Sequence, residues 1–416
     1  MAAEKKISSK FWFNPAITAI LLLSFSSSLP LVLLGSTLQA WYTVAGVNLL
    51  TIGMLTLIGQ PYIYKFLWAP LMDRFTPILA DRRRGWILVT QMGLICGLTI
   101  MAFMTPTTHP WGLAIVALFV AFISASQDIA IDGYRVDVLS RETRSAGAAV
   151  TNLGGRLAIL VGGAFALILA ASVGWRTTYL LMAGLILLEV MVTLWSPRPA
   201  NIENLPTTLT EAITQPFQNI FQREYALAIL FFIVIYKLCD AFAFALNTTF
   251  LLRGLGFTLA EVGIIYKMVS LCALLLGSIV GGIAMQRLGT YKSLLYFGLL
   301  QAFSNLSYAA LAIVGKNYLV MIGAVFIEYF CSGLSTVAFI VFLMSLCHQR
   351  YSAAQYAIFS ALMAIPRVFA GPEVAYLVNH VGWAVFYFIT FLLGLPALGM
   401  LLWLKNRVNF EWQTES

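Results

Sequence analysis

The chain has 416 residues, of which 60% are hydrophobic and 10% charged, with a formal net charge of +8 and a mean hydropathy of +0.87. Soluble domains carry about 25% charged residues, so this composition excludes one and requires a protein that crosses a bilayer many times. The positive charge has no basic soluble domain through which to bind nucleic acid, and its distribution reads as membrane topology instead.

The first ten residues are polar and basic (Lys5, Lys6, Lys10), and 1–15 is expected to be a cytoplasmic N-terminus. The apolar run after it is too long for a signal-peptide core and lacks a small-residue cleavage site, so no cleavable signal is expected. Apolar runs of about 18–25 residues predict spanning helices. They fall near 16–38, 48–72, 86–104, 112–134, 147–172, 178–196, 225–248, 259–285, 293–314, 318–346, 352–378 and 384–404. The expected fold class is therefore an all-α membrane protein with twelve transmembrane helices. Arg74, Arg82, Arg83, Arg84, Arg135, Arg141, Arg144, Arg198, Arg223, Arg287, Lys292, Arg350, Lys405 and Arg407 fall in one set of loops and tails, whereas the opposite loops hold Arg176, Arg253 and Lys316. That asymmetry predicts cytoplasmic termini.

The longest polar stretch, 197–224, separates a six-helix bundle at 16–196 from a second at 225–404, with a cytoplasmic tail at 405–416. Within it, Leu209, Ile213, Phe217, Ile220 and Phe221 make an apolar face, and Thr208 with Glu211 fits a capping box, so a helix along the membrane surface is expected, the alternative being a plain linker. An internal repeat points to duplication of a six-helix unit. Val173-Gly174-Trp175 before Tyr179 recurs as Val381-Gly382-Trp383 before Tyr387, with Arg156 upstream of one copy and Arg367 of the other. Asp73-Arg74 and Arg82-Arg83-Arg84-Gly85 also match Gln286-Arg287-Leu288-Gly289-Thr290-Tyr291-Lys292 in outline. The five cysteines and three histidines have no metal-ligand spacing, so neither disulfides nor a metal site is expected.

Ionisable residues inside the apolar runs are the informative set, because each costs roughly 2.5–3.5 kcal/mol at mid-membrane on insertion scales. They are Lys65, Asp128, Arg156, Glu189, Lys237, Asp240, Lys267, Glu328, Arg367 and Glu373. Asp128 and Asp132 are four positions apart and share a helix face beside Gln127, although Asp132 or Asp137 can instead lie solvated at the helix end. Lys237 and Asp240 are three apart and can pair, either as structure or as a pair that substrate or a proton breaks. Lys65, Arg156 and Lys267 can alternatively snorkel. A carboxylate in a partly dry cavity can load and release a proton, which makes Asp128 and Asp240 the candidate proton-coupling residues. Lys65, Lys237 and Lys267 would neutralise an anionic solute, and Gln39, Gln127 and Asn247, with Ser26, Ser27, Ser28, Gln60 and Asn305, supply hydrogen bonds. Tyr62, Trp41, Trp68, Tyr236 and Tyr266 can stack on sugar faces or serve as core and interface anchors. No phosphate-binding loop, metalloprotease motif or nucleophile elbow occurs, so no enzyme is expected.

Twelve runs, a six-plus-six split and the charged loop Ala69-Pro70-Leu71-Met72-Asp73-Arg74 resemble the major facilitator superfamily, although the arginine cluster arrives late, at 82–84. A closer resemblance rests on Gly59-Gln60-Pro61-Tyr62-Ile63-Tyr64-Lys65-Phe66-Leu67-Trp68, Ser124-Ala125-Ser126-Gln127-Asp128 and Tyr236-Lys237-Leu238-Cys239-Asp240. Thr248-Thr249-Phe250 with Arg253-Gly254, Leu38-Gln39-Ala40-Trp41 and Met285-Gln286-Arg287-Leu288 extend it. From about Ser28 to Trp383 the chain resembles AmpG-type muropeptide permeases. The resemblance implies two pseudo-symmetric six-helix halves and import of N-acetylglucosamine–1,6-anhydro-N-acetylmuramyl peptides across the bacterial inner membrane, coupled to protons. No cofactor is implied besides the coupling ion, and the partners are the solute and membrane lipid, with a monomer expected. The solute would feed peptidoglycan recycling, whose products influence β-lactamase induction. It also implies gating or loop roles for Asp73, Arg74, Arg156 and Arg367. Alternatives are a related transporter of acetyl-CoA or a siderophore, and a membrane receptor that binds without transport.

Overall fold

A computed structural model describes residues 15–69, 72, 75–77, 81–139, 144–198, 218–346 and 352–408. Among them the chain is helical throughout, and eight helical stretches are long and apolar enough to cross a membrane. Three of these, Val150–Trp195 (46 residues), Leu259–Val314 (56) and Ile358–Leu404 (47), are about twice what a bilayer needs. Each contains one glycine with left-handed backbone: Gly174 (φ 81°, ψ 165°), Gly289 (φ 73°, ψ 168°) and Gly382 (φ 76°, ψ 170°). A side chain is strained there, so glycine is what lets two helices join at a kink without a loop. The repeated Val-Gly-Trp triplets thus share one backbone geometry at Gly174 and Gly382.

The expected continuous helix over 48–72 is instead a series of short turns: α-helix Leu49–Met54, 3₁₀-helix Leu55–Gly59, α-helix Gln60–Tyr64 and 3₁₀-helix Lys65–Leu67. Gly53, Gly59 and Pro61 weaken a regular ladder at this point. The first helix also runs on past Leu38: Pro15–Val32 passes through a π-helical turn at Leu33–Thr37 into Leu38–Val44. The helix expected to end near 134 continues through Val138, so Arg135, expected in a loop, lies in its last turn.

By contacts the chain forms two compact units, residues up to 38 with 64–205, and residues 39–63 with those from 206 onward. In the first, Pro15–Val32 packs on Arg144–Ile159 and on Pro110–Val138, while Arg82–Ala102 packs on Pro110–Val138 and Ala166–Trp195. Ile17, Ile20, Leu23, Ile87, Ile131, Tyr134 and Val150 form its core at one end. In the second, Lys267–Val314 packs on Tyr318–Ser345, and Ser352–Leu404 packs on Ala226–Ala245 and on Leu49–Met54. Residues 39–63 join this unit because glycines allow it: a Cβ at Gly53 would stand 2.5 Å from the Gly371 carbonyl oxygen and 2.8 Å from the Ala375 Cβ. Thr56 donates to the Val368 carbonyl at 2.8 Å. Phe232, Ile233, Leu294, Phe339, Phe342 and Phe359 fill the second core.

Residue placement inverts that of a soluble protein. Leu187, Leu188, Met191 and Leu194 are exposed along one helix, whereas Ser26, Gln127, Asn305 and Glu328 are fully buried. Apolar surface on that scale is stable against lipid and unstable against water. Of the linker helix expected over 208–221, residues 218–221 are helical, with Ile220 buried in the second core, and the Thr208–Glu211 capping box lies outside the described residues.

Candidate functional site

In the first unit the polar groups converge on the Pro110–Val138 helix. Helical spacing puts Asp128, Asp132 and Arg135 along one face, with Gln127 alongside. Lys65, at the start of the 3₁₀ turn Lys65–Leu67, makes an ion pair and hydrogen bond with Asp128. Its Nζ lies 3.8 Å from the Asp132 carboxylate, which is itself held by Arg135 at 2.9 Å. Ser27 donates to the other Asp128 oxygen at 2.7 Å. Four groups from two segments therefore share one alternating chain of charge: Arg135⁺, Asp132⁻, Lys65⁺, Asp128⁻. Asp128 and Lys65 are 30% and 31% exposed, so the pair is neither dry nor fully solvated. Such a pair can open at modest cost when a proton or an anion competes for one partner.

Gln127 is fully buried and donates to Ser26 at 3.1 Å, which ties the first helix to this one. Trp68 donates its indole N–H to Ser126 at 3.0 Å. Below them Asp137 pairs with Arg83 at 2.8 Å, and both are largely buried. Arg156 is half-buried on Arg144–Ile159. Asp73 and Arg74 lie outside the described residues.

In the second unit Lys237 and Asp240 pair on one helix face at 2.9 Å, as their spacing allows, and Lys237 also donates to Thr336 at 3.2 Å. The ammonium lies 5.5 Å from the Phe339 ring centroid, a cation–π contact. Asn247 is buried and donates to the Tyr308 hydroxyl at 3.0 Å, and Tyr308 stacks on Tyr387 with centroids 5.2 Å apart. Gln39 donates to the Ala245 carbonyl at 2.7 Å. Gln39, Gln127 and Asn247 are thus committed to intramolecular partners. Lys267 is half-buried with its ammonium 5.0 Å from the Tyr266 ring, Tyr62 is half-buried, and the Arg367 side chain is exposed. The notch between Asp240 and Gln301 is a small cavity with room for about one water.

Ser27 and Glu328 stand out in the sequence as polar residues inside apolar runs, but the partners that the fold supplies from far along the chain do not. Ser27 reaches Asp128 across 101 positions, and Gln301 reaches Glu328 at 2.7 Å. Glu328 is already in the ionisable set, and no Lys or Arg stands three or four positions from it, unlike Asp240 with Lys237.

Helical bundles with charge pairs buried at mid-span, lipid-compatible surfaces and no cofactor motif define a polytopic membrane protein of the transporter class. The family model described as Major Facilitator Superfamily matches residues 11–371. The chain is 45% identical over 398 residues to the anhydromuropeptide permease of Escherichia coli strain K12, covering 95% of this chain and 81% of that one. It is 30% identical over 419 residues to the putative transporter AmpG 4 of Rickettsia conorii, covering 96% and 99%. The crystal structure of the nucleoside transporter NupG superposes with a TM-score of 0.74 at 13% identity, over 92% of this chain and 98% of that one, and so shares the fold. The chain belongs to the Major Facilitator Superfamily and, within it, to the AmpG-type permeases.

Proposed function

We propose that the protein imports anhydro-muropeptides across the bacterial inner membrane, driven by the proton-motive force, for peptidoglycan recycling. The observation that carries this reading is the 45% identity to a permease of that name over nearly the whole chain. Supply of these solutes to the cytoplasm also ties the protein to β-lactamase induction. It works as a monomer with both termini cytoplasmic.

Twelve spans arise from the eight apolar stretches as follows. The three long ones each count twice, folded at Gly174, Gly289 and Gly382, and the broken segment 49–67 is the twelfth. Six precede the 197–224 linker and six follow it, and the two halves rock about a midplane site in alternating access. The solute is a disaccharide carrying an anionic peptide. Lys65, Lys237 and Lys267 attract its carboxylates, Tyr62 offers a face to a sugar ring, and Gln39, Gln127 and Asn247 hydrogen-bond it once released from their present partners. Arg156 and Arg367, with Asp73 and Arg74, act in gating.

Coupling follows from the pairs. Protonation of Asp128 removes the charge that holds Lys65 and frees the ammonium for an anionic solute; Asp240 and Lys237 repeat the arrangement. Proteoliposomes loaded with wild type or Asp128→Asn and given labelled anhydro-muropeptide test this. An inward proton gradient should drive accumulation by the wild type and not by the variant. Accumulation that ignores the gradient would overturn proton coupling, and no uptake of this solute by a folded wild type would overturn the substrate.

A further inference from the structure

The second unit holds a carboxyl that the paired scheme does not use. Glu328, in the Tyr318–Ser345 helix, is fully buried. One oxygen accepts from the Gln301 amide at 2.7 Å. The other has no hydrogen-bond partner among the described residues, and no Lys or Arg there makes an ion pair with it. Ser304 lies beside the carboxyl, but its hydroxyl is given to the Gln301 carbonyl at 2.7 Å.

The groups that face Glu328 are acidic or neutral. Asp240 and Cys239 approach it from Ala226–Ala245, Tyr308 from Lys267–Val314 and Tyr387 from Ser352–Leu404, and Tyr329 and Cys331 share its own helix. Tyr266 adds a hydroxyl, held to Tyr329 at 2.6 Å. Lys237, the cation on the helix that carries Asp240, is already bound to Asp240 and Thr336. An ionised carboxylate in such a place costs many kcal/mol with a single amide hydrogen bond and no ion pair to offset it, whereas the neutral acid costs far less. Gln301, which holds Glu328, also lines the small cavity that Asp240 lines.

We propose that Glu328 is carried as the neutral acid in this state and is a further proton-binding carboxyl of the second unit beside Asp240, exchanging its proton by way of the Gln301–Asp240 cavity. This rests on the proton-driven reading above. The step balances simply: the O–H bond of the acid breaks, the proton passes to cavity water, and the carboxylate left behind competes with Asp240 for Lys237. The Lys237–Asp240 pair is then the element that reports whether the proton is aboard.

Two measurements test it with the full-length protein. Glu328→Gln keeps the volume and the contact with Gln301 while abolishing the proton. In proteoliposomes this variant should lose gradient-driven accumulation of labelled anhydro-muropeptide while still exchanging it across the membrane. Accumulation at the wild-type level overturns the proposal. Infrared spectroscopy of the purified protein judges protonation without any transport. The wild type should show a protonated-carboxyl stretch that Glu328→Gln lacks, and an unchanged band overturns the assignment. Should that variant not fold, Gln301→Ala should shift the band to higher frequency by removing its hydrogen bond, and an unmoved band again overturns it. A wild type that shows the band but no gradient-driven accumulation retains the buried acid and sinks the proton-driven reading instead.

Discussion

At the scale of single residues the two acids on the 110–138 helix that make ion pairs nearest its end have opposite energetic weights. Asp137 and Arg83 are 8% and 13% exposed, whereas Asp132 is 46% exposed and shares two cations. Breaking a buried pair from one side leaves the other charge stranded, at about 3 kcal/mol or more, whereas an exposed pair is worth about 1 kcal/mol or less. Asp137→Ala should therefore lower the melting temperature in detergent well beyond Asp132→Ala, and equal shifts would show that the Arg83 pair is solvated. For Lys65 and Asp128, at about 30% exposure each, a double-mutant cycle with Lys65→Ala and Asp128→Asn should return a coupling of about 1 kcal/mol, with the double variant more stable than the sum of the singles. Zero coupling in that thermal-unfolding cycle would remove the pair as an energetic unit. Local pairs such as Lys237–Asp240 were legible in the sequence because helix geometry fixes neighbours three and four apart. Ser27 with Asp128 and Gln301 with Glu328 were not, since only the tertiary fold brings those helices together.

At the scale of elements, hydrophobic runs marked most helices correctly because a span's length is set by the bilayer and not by its neighbours. Their joints were less legible. The breaks expected between 172 and 178, 285 and 293, and 378 and 384 do bracket Gly174, Gly289 and Gly382, and the Val-Gly-Trp repeat was the clue that two of these joints are equivalent, but that each joint is a single left-handed glycine with no loop was not visible in composition. The 49–67 segment was misread as one helix because hydropathy does not register how Gly53, Gly59 and Pro61 act together. The glycine chemistry predicts an asymmetry between two superficially similar changes. Gly382→Ala puts a Cβ at φ 76°, which costs about 1–2 kcal/mol. Gly282→Ala sits in a helix with nothing within 4 Å of the new Cβ and should be neutral or stabilising by up to about 1 kcal/mol. Thermal unfolding of the two variants reads the difference. At Gly53 the obstacle is a neighbour and not the backbone angle: Gly53→Val drives its side chain into the Gly371 carbonyl and Ala375, and overpacking of this kind costs about 1–3 kcal/mol. A melting temperature unchanged in Gly53→Val would mean that residues 39–63 do not pack there.

For the whole molecule, exposed apolar side chains on the spanning helices leave to lipid and membrane potential the orientation that packing alone does not decide. Cytoplasmic loops retain Lys and Arg because moving them across the bilayer during insertion is costly, and the sequence concentrates them in alternate loops. Arg198 and Arg407 are exposed on segments assigned to the cytoplasm, and Thr108 is exposed in the turn between Arg82–Ala102 and Pro110–Val138, assigned to the other side. Single-cysteine variants in a cysteine-free background turn this into a measurement. A maleimide that cannot cross membranes should label Thr108→Cys on intact spheroplasts, and should label Arg198→Cys and Arg407→Cys only after permeabilisation. Orientation bears directly on mechanism, because it fixes which end of the Lys65–Asp128 chain of charges opens to the proton-rich side. The reverse labelling pattern would place the arginine-rich 82–84 cluster outside, make uptake by this chain run against the proposed direction, and recast the same charge pairs as those of an exporter.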